Sequence, residues 1–87
     1  MDVIFYGSVQ EQTLGEESFD ATGEARSLRI LVDVMGERFG SQFKEFLLGE
    51  DTCFFLVNGS GIMTTGGLDT PLHPDDKVEV LPFVPGG

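Results

Sequence analysis

The sequence predicts an α+β domain: a mixed sheet of four to five strands, with one main helix packed across it and a short second helix. Three observations carry this expectation. The chain opens on the β-branched and aromatic run VIFYGSV (residues 3–9), changes at Ser27 to apolar residues spaced by three and four, and closes on the alternating run KVEVLPF (residues 77–83). At 87 residues there is room for one domain and one core, and a chain of that size buries about 60 to 65 % of its unfolded surface.

The elements follow in order. After the first strand Gly15 marks a turn, and ESFDATG (residues 17–23) reads as a second strand paired with the first as a hairpin. Leu28, Leu31, Val32, Met35 and Phe39 then form the stripe of a helix with one buried face, capped by Ser27 and ended by Gly40. Gly36 weakens that helix by about 1 kcal/mol relative to alanine. SQFKEFLLG (residues 41–49) repeats the pattern as a short second helix, with Phe43, Phe46 and Leu47 on one side. TCFFLVNG (residues 52–59) is an apolar strand ending in Asn58-Gly59, followed by a Gly-rich connection to about Gly67. In the last strand Val78, Val80 and Pro82 face one way, and regular pairing is expected to fail near Pro82, which has no N–H to donate. The domain is therefore placed at residues 1–81 and an extended tail at 82–87.

Composition narrows the function. With 40 % hydrophobic residues, eight Phe and only 23 % charged residues the chain collapses rather than staying disordered. Fifteen acidic against five basic residues give a net charge of −10, which argues against nucleic acid and membrane surfaces and either favours a basic protein surface as partner or serves solubility alone. No signal peptide or spanning segment is visible, and the expected location is cytoplasmic. The single cysteine, Cys53, lies in the apolar run CFFLV and reads as a buried thiol rather than a nucleophile.

The usual chemical motifs fall away. NGSGIMTTGG (residues 58–67) lacks the Lys-Ser or Lys-Thr and the following helix of a phosphate loop, so it reads as a long hairpin connection. The pairs Glu16-Glu17, Glu50-Asp51 and Asp75-Asp76 lack calcium-loop spacing and read as solvated charge. His73, followed by Pro74 in a polar turn, has no Cys partner nearby in the sequence. No metal and no bound cofactor are expected, and no side chain is a candidate catalyst.

That leaves LPFVPGG. Pro82 and Pro85 fix their own φ and bias the residues before them to extended conformations. Residues 82–87 therefore form a stiff strip reaching about 20 Å, at about 3.3 Å per residue, long enough to enter another protein's active site. Phe83 and Val84 supply apolar anchoring there, while Gly86 and Gly87 have no side chains to obstruct a narrow channel. A carboxylate is a poor acyl donor until a leaving group is attached, so a terminal carboxylate on Gly87 would need a partner that binds ATP.

DTPLHPDDKVEVLPFVPGG (residues 69–87) resembles the C-terminal signature of the MoaD/ThiS family of ubiquitin-like sulfur carriers, especially the small subunit of molybdopterin synthase. FYGSVQE (residues 5–11) is similar to that family's first strand and turn, SLRILVDVMGERFG (residues 27–40) to its capped helix, and VNG (residues 57–59) to its central strand and turn. The resemblance implies a β-grasp fold and a role as co-substrate rather than enzyme. It implies that the Gly87 carboxylate is adenylated by a ubiquitin-activating-type enzyme, converted to a thiocarboxylate, and presented to the large subunit of molybdopterin synthase. In that reading Pro82, Phe83, Val84, Pro85 and Gly86 are the partner-binding tail, and ATP is used by the activating partner. Sulfur carriage toward thiamin thiazole, a sulfur amino acid or another metabolite, and modification of protein lysines through Gly87, stay open as alternatives.

The chain departs from the family pattern at Gln10, where arginine is frequent, at Phe83, where a second proline is common, and at Pro85, where a small residue is usual. Ile30 and Val34, four apart, add apolar groups to the helix side opposite the core stripe, so this helix is expected to be apolar nearly all round. They are expected either to lie under the TTGG loop or to form a self-association or partner surface.

Overall fold

The computed structural model describes residues 1–21, 25–49 and 52–83. Its strands are β1 (Asp2–Phe5), β2 (Ser18–Asp20), β3 (Cys53–Val57), β4 (Ser60–Gly61) and β5 (Lys77–Pro82). Its helices are α1 (Val9–Gln12), α2 (Leu28–Phe39) and α3 (Ser41–Leu48), and two 3-10 turns cover Ile62–Thr64 and Gly67–Asp69. The sheet runs β2-β1-β5-β3-β4. The closing strand therefore lies at the centre, parallel to β1 and antiparallel to β3. This is the ubiquitin-like β-grasp architecture, a mixed sheet with helices across one face.

The helix boundaries follow from caps. Ser27 is extended and its hydroxyl accepts from the Ile30 N–H at 3.3 Å, while Gly40 takes φ +108° between α2 and α3. Leu28, Leu31, Val32 and Met35 face the core, which Val3, Phe5, Phe55, Val57, Val78 and Val80 supply from the sheet. An aromatic cluster closes one end: Phe5 meets Phe39 and Phe43 edge-on at 5.6 and 5.8 Å between ring centres. Gly36 has a packing reason, because a Cβ there would stand 3.0 Å from Lys44 Cβ. The glycine costs helix propensity and lets α3 fold back against α2.

Four expectations are corrected. The first strand ends at Phe5, not Val9: Gly7 takes φ +56° and the chain turns into α1, which buries Val9 completely. The second strand is only three residues long, although it pairs antiparallel with β1 as expected. The Gly-rich connection is not one long loop. Asn58 and Gly59, at φ +51° and +85°, make a two-residue turn into β4, and the 3-10 turns follow.

The fourth correction concerns Pro82. It does not break the ladder; it pairs in register with Cys53, and the next N–H, that of Phe83, donates to Thr52 O at 3.3 Å. The reason is the alternation of strand edges. Val80 O accepts from Tyr6 N–H on the β1 side, so Pro82 nitrogen also faces that side, where β1 has already ended. No donor is required there.

Candidate functional site

The sequence places function in the tail, and the structure places the root of that tail. Pro82 is the last residue of the central strand and Phe83 follows it; Val84, Pro85, Gly86 and Gly87 lie outside the described residues. Two devices hold the root. Gly7 lies so close that a Cβ on it would stand 3.1 Å from Pro82 Cγ, and the Phe83 N–H bond ties the chain to Thr52. Gly7 thus answers two needs at once, a positive φ and a close approach.

At its other end β5 is fixed by polar groups. Asn58 side-chain O accepts from Lys77 N–H at 2.9 Å, while Asn58 N–H donates to Lys77 O at 2.8 Å. Asp76 accepts from Asn58 Nδ2 and from His73 N–H, each at 2.8 Å. The Asn58 hydrogen bond, with His73 adding to it, holds the Asp76 carboxyl below its usual 3.8. Asp76 is therefore a structural bridge, not the free loop charge read from the sequence. Asp75 and His73 are exposed, as is Glu17; Glu16, also exposed, stands 3.6 Å from Arg38. Glu50 and Asp51 lie outside the described residues.

Strand alternation sorts the sheet's side chains. Those facing the helices are buried. Ile4 on β1, Glu79 and Leu81 on β5, and Leu56 on β3 take the other face and are half-buried, while Phe54 is 44 % exposed. Phe83, 39 % exposed, continues the same alternation toward the tail. Beside Phe54 a groove of about 240 Å³ is lined by Leu48, Cys53, Ile62, Met63 and Leu68. The end of the outer face nearest Phe83 is thus largely apolar, while Asp2 and Lys77, paired in register, stand on the same face at its other end. The sequence signal for it was available, because a strand reading VEVLPF has apolar residues on both faces near its end.

One charged contact stands within this surface. Tyr6 hydroxyl donates to Glu79 Oε2 at 2.6 Å, and that carboxylate pushes the phenol above its usual 10.0, so Tyr6 stays a proton donor at neutral pH. Neither residue was singled out from the sequence. Cys53 is half-buried, and burial raises its thiol above the usual 9.0, which disfavours the reactive thiolate. Among the described residues no cluster of His, Cys, Asp and Glu is placed to hold a metal ion, and no helix is long and apolar enough to cross a membrane.

Ile30 is 40 % exposed, so the TTGG loop does not cover it, and Val34 is half-buried. Nor is α2 apolar all round, because Arg29, Asp33, Glu37 and Arg38 are exposed on its outward side. Gln10, the departure noted after the first strand, donates from Nε2 to Phe5 O at 2.9 Å and closes the strand end.

The ThiS family profile matches residues 3–87, nearly the whole chain. The chain belongs to the ThiS family. No curated protein sequence matches it. Among solved structures, a chain of the Amycolatopsis orientalis BexX/CysO complex is similar at 26 % identity, with a TM-score of 0.81 over 99 % of this chain and 98 % of that one. A chain in the complex of subunits 1 and 2 of molybdopterin-converting factor from Helicobacter pylori is 29 % identical, with a TM-score of 0.66 over 99 % and 96 %. A putative molybdopterin converting factor subunit 1 from Pyrococcus furiosus is 25 % identical, with a TM-score of 0.71 over 95 % of each chain. The ThiS-family chain is accordingly a ubiquitin-like sulfur carrier, and two of these neighbours were solved in complexes with partner proteins. Small carriers of this kind are generally non-catalytic.

Proposed function

We propose that this carrier delivers sulfur for molybdopterin assembly from a thiocarboxylate on Gly87. The observation that carries the reading is the position of the tail's root: the central strand ends at Pro82 and Phe83, beside an apolar patch that no described element covers. The 29 % identity to a molybdopterin-converting-factor chain over nearly the full length favours this destination. Its partners would be an adenylating enzyme of ubiquitin-activating type and a large synthase subunit, and it would act in the cytoplasm.

The chemistry follows from the acyl group. The Gly87 carboxylate attacks the α-phosphorus of ATP bound by the partner, forming an acyl–phosphate bond and releasing pyrophosphate. A hydrosulfide-level nucleophile supplied by the partner then forms the C–S bond and expels AMP. This chain contributes position: the outer face docks, and Pro82 and Pro85 restrict the free tail so that less entropy is lost on threading. Gly86 and Gly87 let the backbone pass close to the reacting atoms.

A second destination has its own support. The neighbour in the BexX/CysO complex superposes with a TM-score of 0.81 at 26 % identity, so delivery to another sulfurated metabolite uses the same face and tail. Deleting Gly86 and Gly87 tests the shared core of both readings. Loading by the adenylating enzyme should vanish while the urea unfolding midpoint stays unchanged; loading that survives the deletion contradicts the assignment. Activity of the loaded chain with each acceptor enzyme then separates the two destinations.

A further inference from the structure

The outer face has a charge where its neighbours are apolar. Glu79 stands in register with Ile4 on β1 and Leu56 on β3, and Leu81 follows two residues along on the same side. Ile4, Leu56, Leu81 and the Tyr6 ring therefore surround a single half-buried carboxylate. Solvated, that carboxylate costs the fold little. A protein that docks here strips its water, and a desolvated carboxylate without a counter-charge is among the costliest groups to bury.

The fold does not supply the counter-charge. Tyr6 donates one hydrogen bond, to Oε2, which orients the carboxylate and leaves its charge in place. Met1 amine, Arg29, Arg38 and Lys44 pair with Asp20, Asp69, Glu16 and Asp33 instead. Lys77, on the same side of β5, forms no ion pair with Glu79 among the described residues. The molecule as a whole, at net −10, adds attraction for a basic surface.

The geometry points to Glu79 as the specificity-determining residue of the docking face: the partner that fits it is an apolar protein surface bearing one arginine or lysine set to meet this carboxylate. The inference rests on the docking role given above to the outer face. Tyr6 fixes where the cation must stand, and an arginine fork meets a carboxylate held in this way with two parallel bonds. A related enzyme with an acidic or purely apolar group at that spot is rejected, because docking would leave Glu79 buried and unpaired. One residue thereby separates this carrier's partners from those of other carriers of the same fold.

The test is ATP–pyrophosphate exchange by the adenylating enzyme that loads this chain, with the full-length carrier as the varied substrate at low and high salt. Glu79→Gln keeps the shape and the Tyr6 contact and removes the charge. Its KM should rise about tenfold or more with kcat unchanged, and the salt dependence of kcat/KM should flatten. Glu79→Lys should raise KM further, and Leu56→Asp, which disrupts the apolar part of the face, should also raise it. If Glu79→Gln stays within about twofold of the unaltered chain while Leu56→Asp is impaired, the face docks but Glu79 does not select, and the inference is overturned. If neither variant raises KM, the outer face is not the docking surface and the inference falls with it. If the unaltered chain supports no exchange at all, the carrier reading fails first and takes the inference down.

Discussion

The two faces of the central sheet carry similar kinds of side chain and meet different fates. On the inner face Val3, Phe5, Phe55, Val57, Val78 and Val80 are sealed beneath α2 and α3; on the outer face Ile4, Leu56 and Leu81 are half-buried and Phe54 is exposed. Hydrophobic burial explains the first set completely, since each buried side chain of that size contributes about 1.5–3 kcal/mol. The second set gains little of this from folding. An apolar patch that the described residues do not cover, at the root of the segment that carries the proposed reactive group, is accounted for by association rather than by stability.

Substitutions of apolar residues on the two faces should therefore diverge. Phe5→Ala on the inner face should cost about 3–5 kcal/mol, enough to leave a domain of this size largely unfolded, read as the loss of the urea transition. Leu81→Asp on the outer face should leave the unfolding midpoint nearly unmoved and weaken the adenylating enzyme's grip by about 30-fold, the loss of a contact worth about 2 kcal/mol at an interface centre. A Leu81→Asp chain that unfolded, or that docked normally, would break the contrast between the faces.

Gly7 tests the seam where the tail leaves. Gly7→Ala forces a side chain into positive φ and against Pro82, and should cost roughly 1–2 kcal/mol. A stability change near zero would mean that Pro82 is not held there. Phe54→Ala, at a site 44 % exposed, should change stability by less than about 1 kcal/mol.

The smallest effect is at Asp76. Its folded pKa is depressed, so the stability it contributes is present above the ordinary value of 3.8 and is lost as pH falls below it toward the folded pKa. Because the carboxyl is largely solvated, the contribution is under about 1 kcal/mol. Asp76→Asn should lower the neutral plateau by under about 1 kcal/mol and flatten the acid side of the stability profile; an unchanged acid limb would remove the bridge from the account.

The inner half of this picture was legible in the sequence and the outer half only partly. The α2 stripe, the Ser27 cap and the apolar run at β3 are periodic signals set by local geometry, and they held. Pro82 was misread because its tolerance depends on where β1 ends, a tertiary fact. Gly36 looked like a weak point and is a close approach to Lys44, and Gly7, read as part of the first strand, is a close approach to Pro82. Asp76 looked like solvent-facing charge because its partner, Asn58, lies 18 residues away in the chain. Glu79 drew no notice, since a lone glutamate in a strand is ordinary until Ile4, Leu56 and Tyr6 are set around it. At the site itself the tail motif was plain in sequence order, while its attachment to the central strand and its continuity with the outer face needed the sheet topology.

The most direct measurement is mass spectrometry of the C-terminal peptide after incubation with the adenylating enzyme, ATP and a sulfur source. The account predicts that one oxygen is replaced by sulfur, and that fragmentation places it on Gly87. An active enzyme that leaves Gly87 unmodified, or sulfur found on Cys53 instead, would contradict it.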